Sequence, residues 1–129
     1  MGTNTLFGFL WAGAGGFVGA GLRYLACAWI ATAAGSTGYA WATFAVNIIG
    51  SFCIGWLSPF WLSMHHPARI FMIVGVLGGF TTFSSFSSDM LHLLQDGRWG
   101  WAMLYAGGSV VLGLLAAWGG FVLHSYMLK

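Results

Sequence analysis

The chain has 129 residues, of which 59% are hydrophobic, 18% aromatic and only 5% charged, at a mean hydropathy of +0.84. A soluble domain carries about 25% charged residues, so this composition excludes one and points to an integral membrane protein. The net charge of +2 comes from Arg23, Arg69, Arg98 and Lys129 against Asp89 and Asp96, with no glutamate, which excludes a nucleic-acid footprint or a polybasic lipid-binding patch.

Four apolar blocks follow one another, over residues 6–32, 41–64, 70–94 and 99–128. Each reaches the roughly 20 residues a helix needs to cross about 30 Å of hydrocarbon. The breaks between them are short: Ala33-Ala34-Gly35-Ser36-Thr37-Gly38, His65-His66-Pro67-Ala68-Arg69 and Gln95-Asp96-Gly97-Arg98. Short turns force antiparallel neighbours, so the expected fold is all-α, one four-helix transmembrane domain over residues 1–129. It is expected to be a multi-pass protein of the cell's inner or plasma membrane. The first block lacks a basic lead and runs too long for a signal peptide, and is expected to be retained.

The first block holds Gly13-Ala14-Gly15-Gly16-Phe17-Val18-Gly19-Ala20-Gly21. No strand precedes it and no acidic residue follows to hold a ribose, so a dinucleotide loop is excluded. Gly15 and Gly19 instead form a small-xxx-small face for close helix packing, repeated by Gly75 and Gly79 in the third block. Arg23 is the one cation inside a span, either snorkelling to an interface or drawing anions into an aqueous vestibule. Cys27 and Cys53 lie in apolar stretches, where free cysteine behaves as a small hydrophobe. Trp11, Trp29, Trp41, Trp61, Trp99 and Trp101 fall near predicted helix ends, as lipid-interface anchors do. His65, His66, His92 and His124 also sit near segment ends, with no spacing that brings two together, and are expected at the surface.

In the second block Asn47 shares a face with Gly50, Ser51 and Gly55, so its amide either joins helices or offers N–H donors to an ion. The third block carries Gly78-Gly79-Phe80-Thr81-Thr82-Phe83-Ser84-Ser85-Phe86-Ser87. Lipid cannot hydrogen-bond to such a strip, which must face a pore or an interface. Phe80, Phe83 and Phe86 recur every three residues beside hydroxyls, a slanted ribbon of rings next to a ribbon of OH groups. Gly78-Gly79 ahead of Thr81-Thr82 pairs poor helix formers with side chains that compete for backbone hydrogen bonds, which predicts an unwound turn in mid-membrane. The alternative is an unbroken helix whose glycines permit close contact. In the fourth block Tyr105 and Ser109 place two hydroxyls on one face.

Together these give many neutral donors deep in the membrane and almost no fixed negative charge. Cation paths display carboxylates or carbonyl rings, whereas hydroxyls, amides and the positive edges of phenylalanine rings turn toward an anion. The competing reading is that the rings only pack and the hydroxyls bond back to their own helix.

Three stretches carry a resemblance over nearly the whole chain: Gly15-Gly16-Phe17-Val18-Gly19-Ala20-Gly21-Leu22-Arg23-Tyr24, Val46-Asn47-Ile48-Ile49-Gly50-Ser51-Phe52, and the strip from Gly78 to Ser87. The sequence resembles the CrcB/Fluc family of small fluoride channels. The resemblance implies an antiparallel, dual-topology homodimer with two fluoride pores lined by both subunits. It implies that Phe83 and Phe86 are the pore phenylalanines and Asn47 a pore-lining donor, with Tyr105 and Ser109 on a polar track. Ser84 and Ser87 are taken as pore hydroxyls from the same strip, and Arg23 and Asp89 as vestibule residues, Asp89 standing where the family often carries Glu. It also implies a structural sodium ion held by the backbone carbonyls of Gly78 and Thr81.

A small proton-coupled multidrug exporter is the main rival, and is expected to need a membrane glutamate that this chain lacks. A membrane scaffold without transport explains the packing glycines but not the hydroxyls. An enzyme is the least expected class, since no Ser, His and Asp set has a recognisable nucleophile context. Four spans put Arg69 and Lys129 on one side, Arg98 opposite, and Arg23 leaning that way. The positive-inside bias is too even to fix one orientation.

Overall fold

The computed structural model describes residues 3–34, 38–60 and 66–127. Among these, only Thr81, Thr82 and residues 96–98 fall outside helices. α1 is Thr3–Ala34 and α2 is Gly38–Leu57. α3 begins at His66–Arg69, widens into a π-helix over Ile70–Leu77 and closes with Gly78–Phe80. α4 is Phe83–Gln95 and α5 is Trp99–Met127. Four stretches are long and apolar enough to span a bilayer, Asn4–Ala34, Ala40–Phe60, Pro67–Gln95 and Trp99–Met127, the third made of α3 and α4 together.

The two largest departures from the expected boundaries each involve a proline. The second block was expected to run to residue 64, but α2 stops at Leu57 and a 3-10 turn, Ser58–Phe60, follows. Pro59 has no N–H to give the Gly55 carbonyl, which accepts from the Ser58 hydroxyl at 2.9 Å. The third block starts at His66 rather than at residue 70, because Pro67 sits in a first helical turn, where a missing N–H costs nothing. Trp61, His65, Lys129 and residues 35–37 lie outside the described residues.

Helices meet through small residues. α1 packs on α3 where Gly15 and Gly19 face Gly75 and Gly79, the two faces picked out from spacing. A Cβ built on Gly75 would lie 2.6 Å from the Gly15 Cα, and one on Gly79 2.7 Å from the Gly16 carbonyl oxygen. Backbone therefore rests on backbone, and no larger residue fits. α2 packs on α5 in the same way, Gly55 against Ala117 and Gly120 against Phe52 and Trp56. The buried apolar side chains are few, Ala42, Val46, Ile73, Leu77 and Ala102, as a bundle requires whose outer surface meets lipid or another chain rather than water.

α4 closes on a Schellman motif. Gly97, at φ 70°, donates to the Leu94 carbonyl at 3.1 Å, and Arg98 donates to the Leu93 carbonyl at 2.9 Å. The Arg98 guanidinium then lies 5.8 Å from the Trp101 ring centroid. Trp29, Trp41, Trp99 and Trp101 are exposed, as interface anchors are, whereas Trp11 also packs edge-on against Phe71 of α3 at 6.1 Å. His124 departs from the surface expectation. It is 7% exposed, wedged between Phe60 and Trp56 at ring distances of 4.4 and 5.5 Å, because Gly120 lets α5 settle onto the end of α2.

Candidate functional site: a donor-lined groove

Between α3 and α4 the chain takes two extended steps, Thr81 at φ −81°, ψ 156° and Thr82 at φ −151°, ψ 121°. Gly78 and Gly79 themselves stay helical, Gly79 held tightly against α1. The threonines do the unwinding. The Thr81 hydroxyl bonds back to the Leu77 carbonyl at 2.9 Å, and Thr82 caps α4 by accepting from the Ser85 N–H at 3.2 Å.

Asn47 of α2 faces this step with both ends of its amide. Its Oδ1 accepts from the Thr82 N–H at 2.8 Å, and its Nδ2 donates to the Thr82 carbonyl at 3.0 Å. The pairing resembles a rung of a sheet ladder supplied by a side chain. One Nδ2 hydrogen is left over.

These bonds have a consequence for the carbonyls. In a continuous α-helix the Thr82 N–H would serve the Gly78 carbonyl and the Ser85 N–H the Thr81 carbonyl. Both donors are turned elsewhere, to Asn47 Oδ1 and Thr82 Oγ1. The Phe83 and Ser84 N–H groups likewise open a new helix, so the four carbonyls from Gly78 to Thr81 all lose the donors a continuous helix would give them. Among the described residues no group of three His, Cys, Asp or Glu side chains is placed to hold a metal.

A groove of about 410 Å³ opens beside the step and is lined by Asn47, Gly78, Thr81, Phe83, Phe86 and Ser109, with Gly50, Ser51, Thr82 and apolar neighbours. Among the described residues no charged one lines it. The Ser109 hydroxyl is buried there with no hydrogen-bond partner. Phe83 and Phe86 are tilted against each other at 5.7 Å, and Phe86 stacks on Tyr105 at 5.3 Å. Phe83 is 79% exposed.

The remaining candidates fall elsewhere. Arg23 and Asp89 line a second pocket of about 480 Å³ together with Thr43, Ser85, Ser88, Cys27 and His92. Tyr105 lines neither; its hydroxyl donates to Asp89 Oδ2 at 3.0 Å, tying the second pocket to the ring stack of the first. Ser84 lies 3.2 Å from the Thr82 hydroxyl, and Ser87 bonds back to the Phe83 carbonyl at 3.0 Å. For Ser87 the hydroxyl serves its own helix. Sequence reasoning passed over Thr82 as a cap, although Thr ahead of a helical apolar pattern is a start signal. Gly50 and Ser51 were noticed only as neighbours of Asn47.

The family model described as "CrcB-like protein, Camphor Resistance (CrcB)" matches residues 10–121. A protein of Elusimicrobium minutum called "Fluoride-specific ion channel FluC" is 47% identical over 114 residues, covering 88% of this chain and 90% of its own length. Proteins of the same name from Thermus thermophilus and Rhizobium meliloti are 48% identical over 115 residues and 43% identical over 123. They cover 88% and 92% of this chain, and 90% and 96% of their own. With a match this long, and with the glycine contacts and the strip from Gly78 to Ser87 placed as above, the chain belongs to the CrcB family.

Proposed function

We propose that this protein is a fluoride-selective channel through which fluoride leaves the cell passively, assembled as an antiparallel, dual-topology homodimer with two pores. The observation that carries the reading is the composition of the groove: an amide with a spare N–H, an unpartnered hydroxyl and two phenylalanine rings, with no carboxylate among its lining residues. A small anion leaving water must have its lost hydrogen bonds replaced, and donors held in place do so without reorganising. The ring edges add positive periphery without adding a competing acceptor. The relatives' name, fluoride-specific ion channel, supports the same ion.

The groove is open along one side in the single protomer, and the exposed Phe83 needs cover from lipid or from protein. A second copy in the opposite orientation covers it, and the even spread of cations across the two sides supports insertion both ways. Arg23, in the pocket beside Asp89, draws anions toward the entrance. Asp89 accepts from Tyr105, which occupies part of the carboxylate. The two extended steps at Thr81 and Thr82 are read as a break in the middle of the third span. Gly78 and Thr81 of both copies would hold a sodium ion, whose charge offsets the repulsion an anion meets from free carbonyls. Fluoride entering as HF from an acidic exterior and dissociating inside then leaves down its own gradient.

Vesicles holding the purified protein test the driving force. Fluoride efflux is expected with neither ATP nor a pH gradient, and a requirement for either would contradict a channel. Cysteine labelling from one side of the membrane at a loop position should modify part of the population; complete labelling would exclude dual topology. Replacing all sodium by a large organic cation should lower flux or dimer stability, and indifference in both would remove sodium from the site.

A further inference from the structure

The extended step at Thr81 and Thr82 is held from outside its own helix, by one face of α2. Asn47 pairs with both backbone groups of Thr82. One turn on, Gly50 is buried beneath Thr81, where the Thr81 methyl occupies the space a Cβ on Gly50 would need. We infer that Asn47 and Gly50 form a cradle that sets this step, so that Gly50 is a positioning residue for the groove and Asn47 acts on the backbone as well as on the ion.

Two features argue that the cradle is specific. An extended backbone inside a helical bundle has N–H and C=O groups that neither helix can serve, and only an amide offers an acceptor and a donor at the spacing of one residue. Gly50 then fixes how close α2 and the step approach. Other neighbours of a Cβ at Gly50 are ordinary: the Phe80 ring at 3.5 Å and the Thr81 Cβ at 3.7 Å. The methyl of Thr81 is therefore the one group in the way. The cradle also joins the two sites, since the bond that holds the Thr82 N–H on Asn47 is the bond that keeps it off the Gly78 carbonyl.

The test is a rescue pair. Gly50→Ala should push Thr81 and the step off α2, and Gly50→Ala with Thr81→Ser should seat it again, because serine lacks the methyl but keeps the hydroxyl that bonds Leu77. The readout is amide hydrogen exchange at Thr82 and Ser85 in the purified full chain, with fluoride flux from vesicles beside it. Gly50→Ala should speed exchange of the Thr82 amide by about tenfold, the loss of one hydrogen bond, and reduce flux by a similar factor. The double variant, compared with Thr81→Ser alone, should recover most of both. Asn47→Ser, which cannot span both groups of Thr82, should speed the same amide with no rescue from Thr81→Ser. If Gly50→Ala fails to fold, recovery of a folded protein by Thr81→Ser still supports the cradle. Parent-like exchange in Gly50→Ala, or a double variant no better than the single, overturns it. The effect on flux rests on the channel reading and the exchange does not, so a parent that conducts no fluoride while the exchange pattern holds would sink only the former.

Discussion

The third span has two unlike helical stretches, α3 and α4, with Thr81 and Thr82 extended between them. Its first half, α3, is sealed: Gly75 and Gly79 lie on the backbone of α1 so closely that no Cβ fits. Its second half, α4, is open, with Phe83, Ser84 and Ser87 exposed, and it gives the groove the rings of Phe83 and Phe86 where α3 gives it Ile73, Leu77 and Gly78. One half is built from the absence of side chains, the other from the chemistry of those it presents. The difference teaches that the same span both anchors the fold and carries the site, and that the step between them lets each half keep its own orientation. The π-helix over Ile70–Leu77 belongs to the sealed half, where Gly78 donates back five residues to the Ile73 carbonyl.

The sharpest way to break the contrast is on the sealed side. Gly75→Leu forces α1 and α3 apart and should cost about 3 kcal/mol or more, read as lost thermal stability and lost monodisperse protein by size exclusion. A stable, well-folded variant would mean that the two helices do not meet as described. On the open side, Asn47→Asp keeps size and the acceptor for Thr82 but sets a negative charge in the groove and against the Thr82 carbonyl. Fluoride flux should fall by about a thousandfold, with the fold retained. Unchanged flux would take Asn47 off the path.

How much of this was legible follows the same division. The sealed half was legible because close packing selects residue type at a fixed spacing, so Gly15, Gly19, Gly75 and Gly79 announce a contact in any order of reading. Asn47 and Ser109 stand out in the sequence as polar groups in an apolar chain and Phe83 and Phe86 by their spacing of three, and one groove gathers the four. What was hidden is what depends on a partner from another helix. Gly78-Gly79 looked like the weak point, yet both stay helical, Gly79 pressed on the α1 backbone, and the extended residues are Thr81 and Thr82, where Asn47 takes up the Thr82 N–H and carbonyl. Ser87 carried the same hydroxyl as Ser109, but one bonds back to Phe83 and the other has no partner. His124 looked peripheral by position and is buried by the approach of two helix ends.

Smaller changes sharpen the account of the open half. Phe83→Ile and Phe86→Ile keep apolar bulk and remove the ring edge, and each should reduce fluoride flux by about tenfold while leaving stability near that of the parent. The larger loss is expected at Phe86, which also gives up its stack on Tyr105. Normal flux in both would make the rings packing alone. Ser109→Ala should have the smallest effect, a fewfold loss of flux, about 1 kcal/mol for one neutral hydrogen bond. No loss of stability should accompany it, since the hydroxyl has no partner within the chain. A clear loss of stability without loss of flux would make that hydroxyl a packing group rather than part of the ion path.

Selection of fluoride by the open half is read from anion efflux out of vesicles holding the parent protein. Vesicles are loaded in parallel with fluoride or chloride, and release is followed with an ion-selective electrode while potassium is allowed to balance charge. Rapid loss of fluoride with chloride retained is the predicted result; release of chloride as fast as fluoride, or of neither, would contradict it.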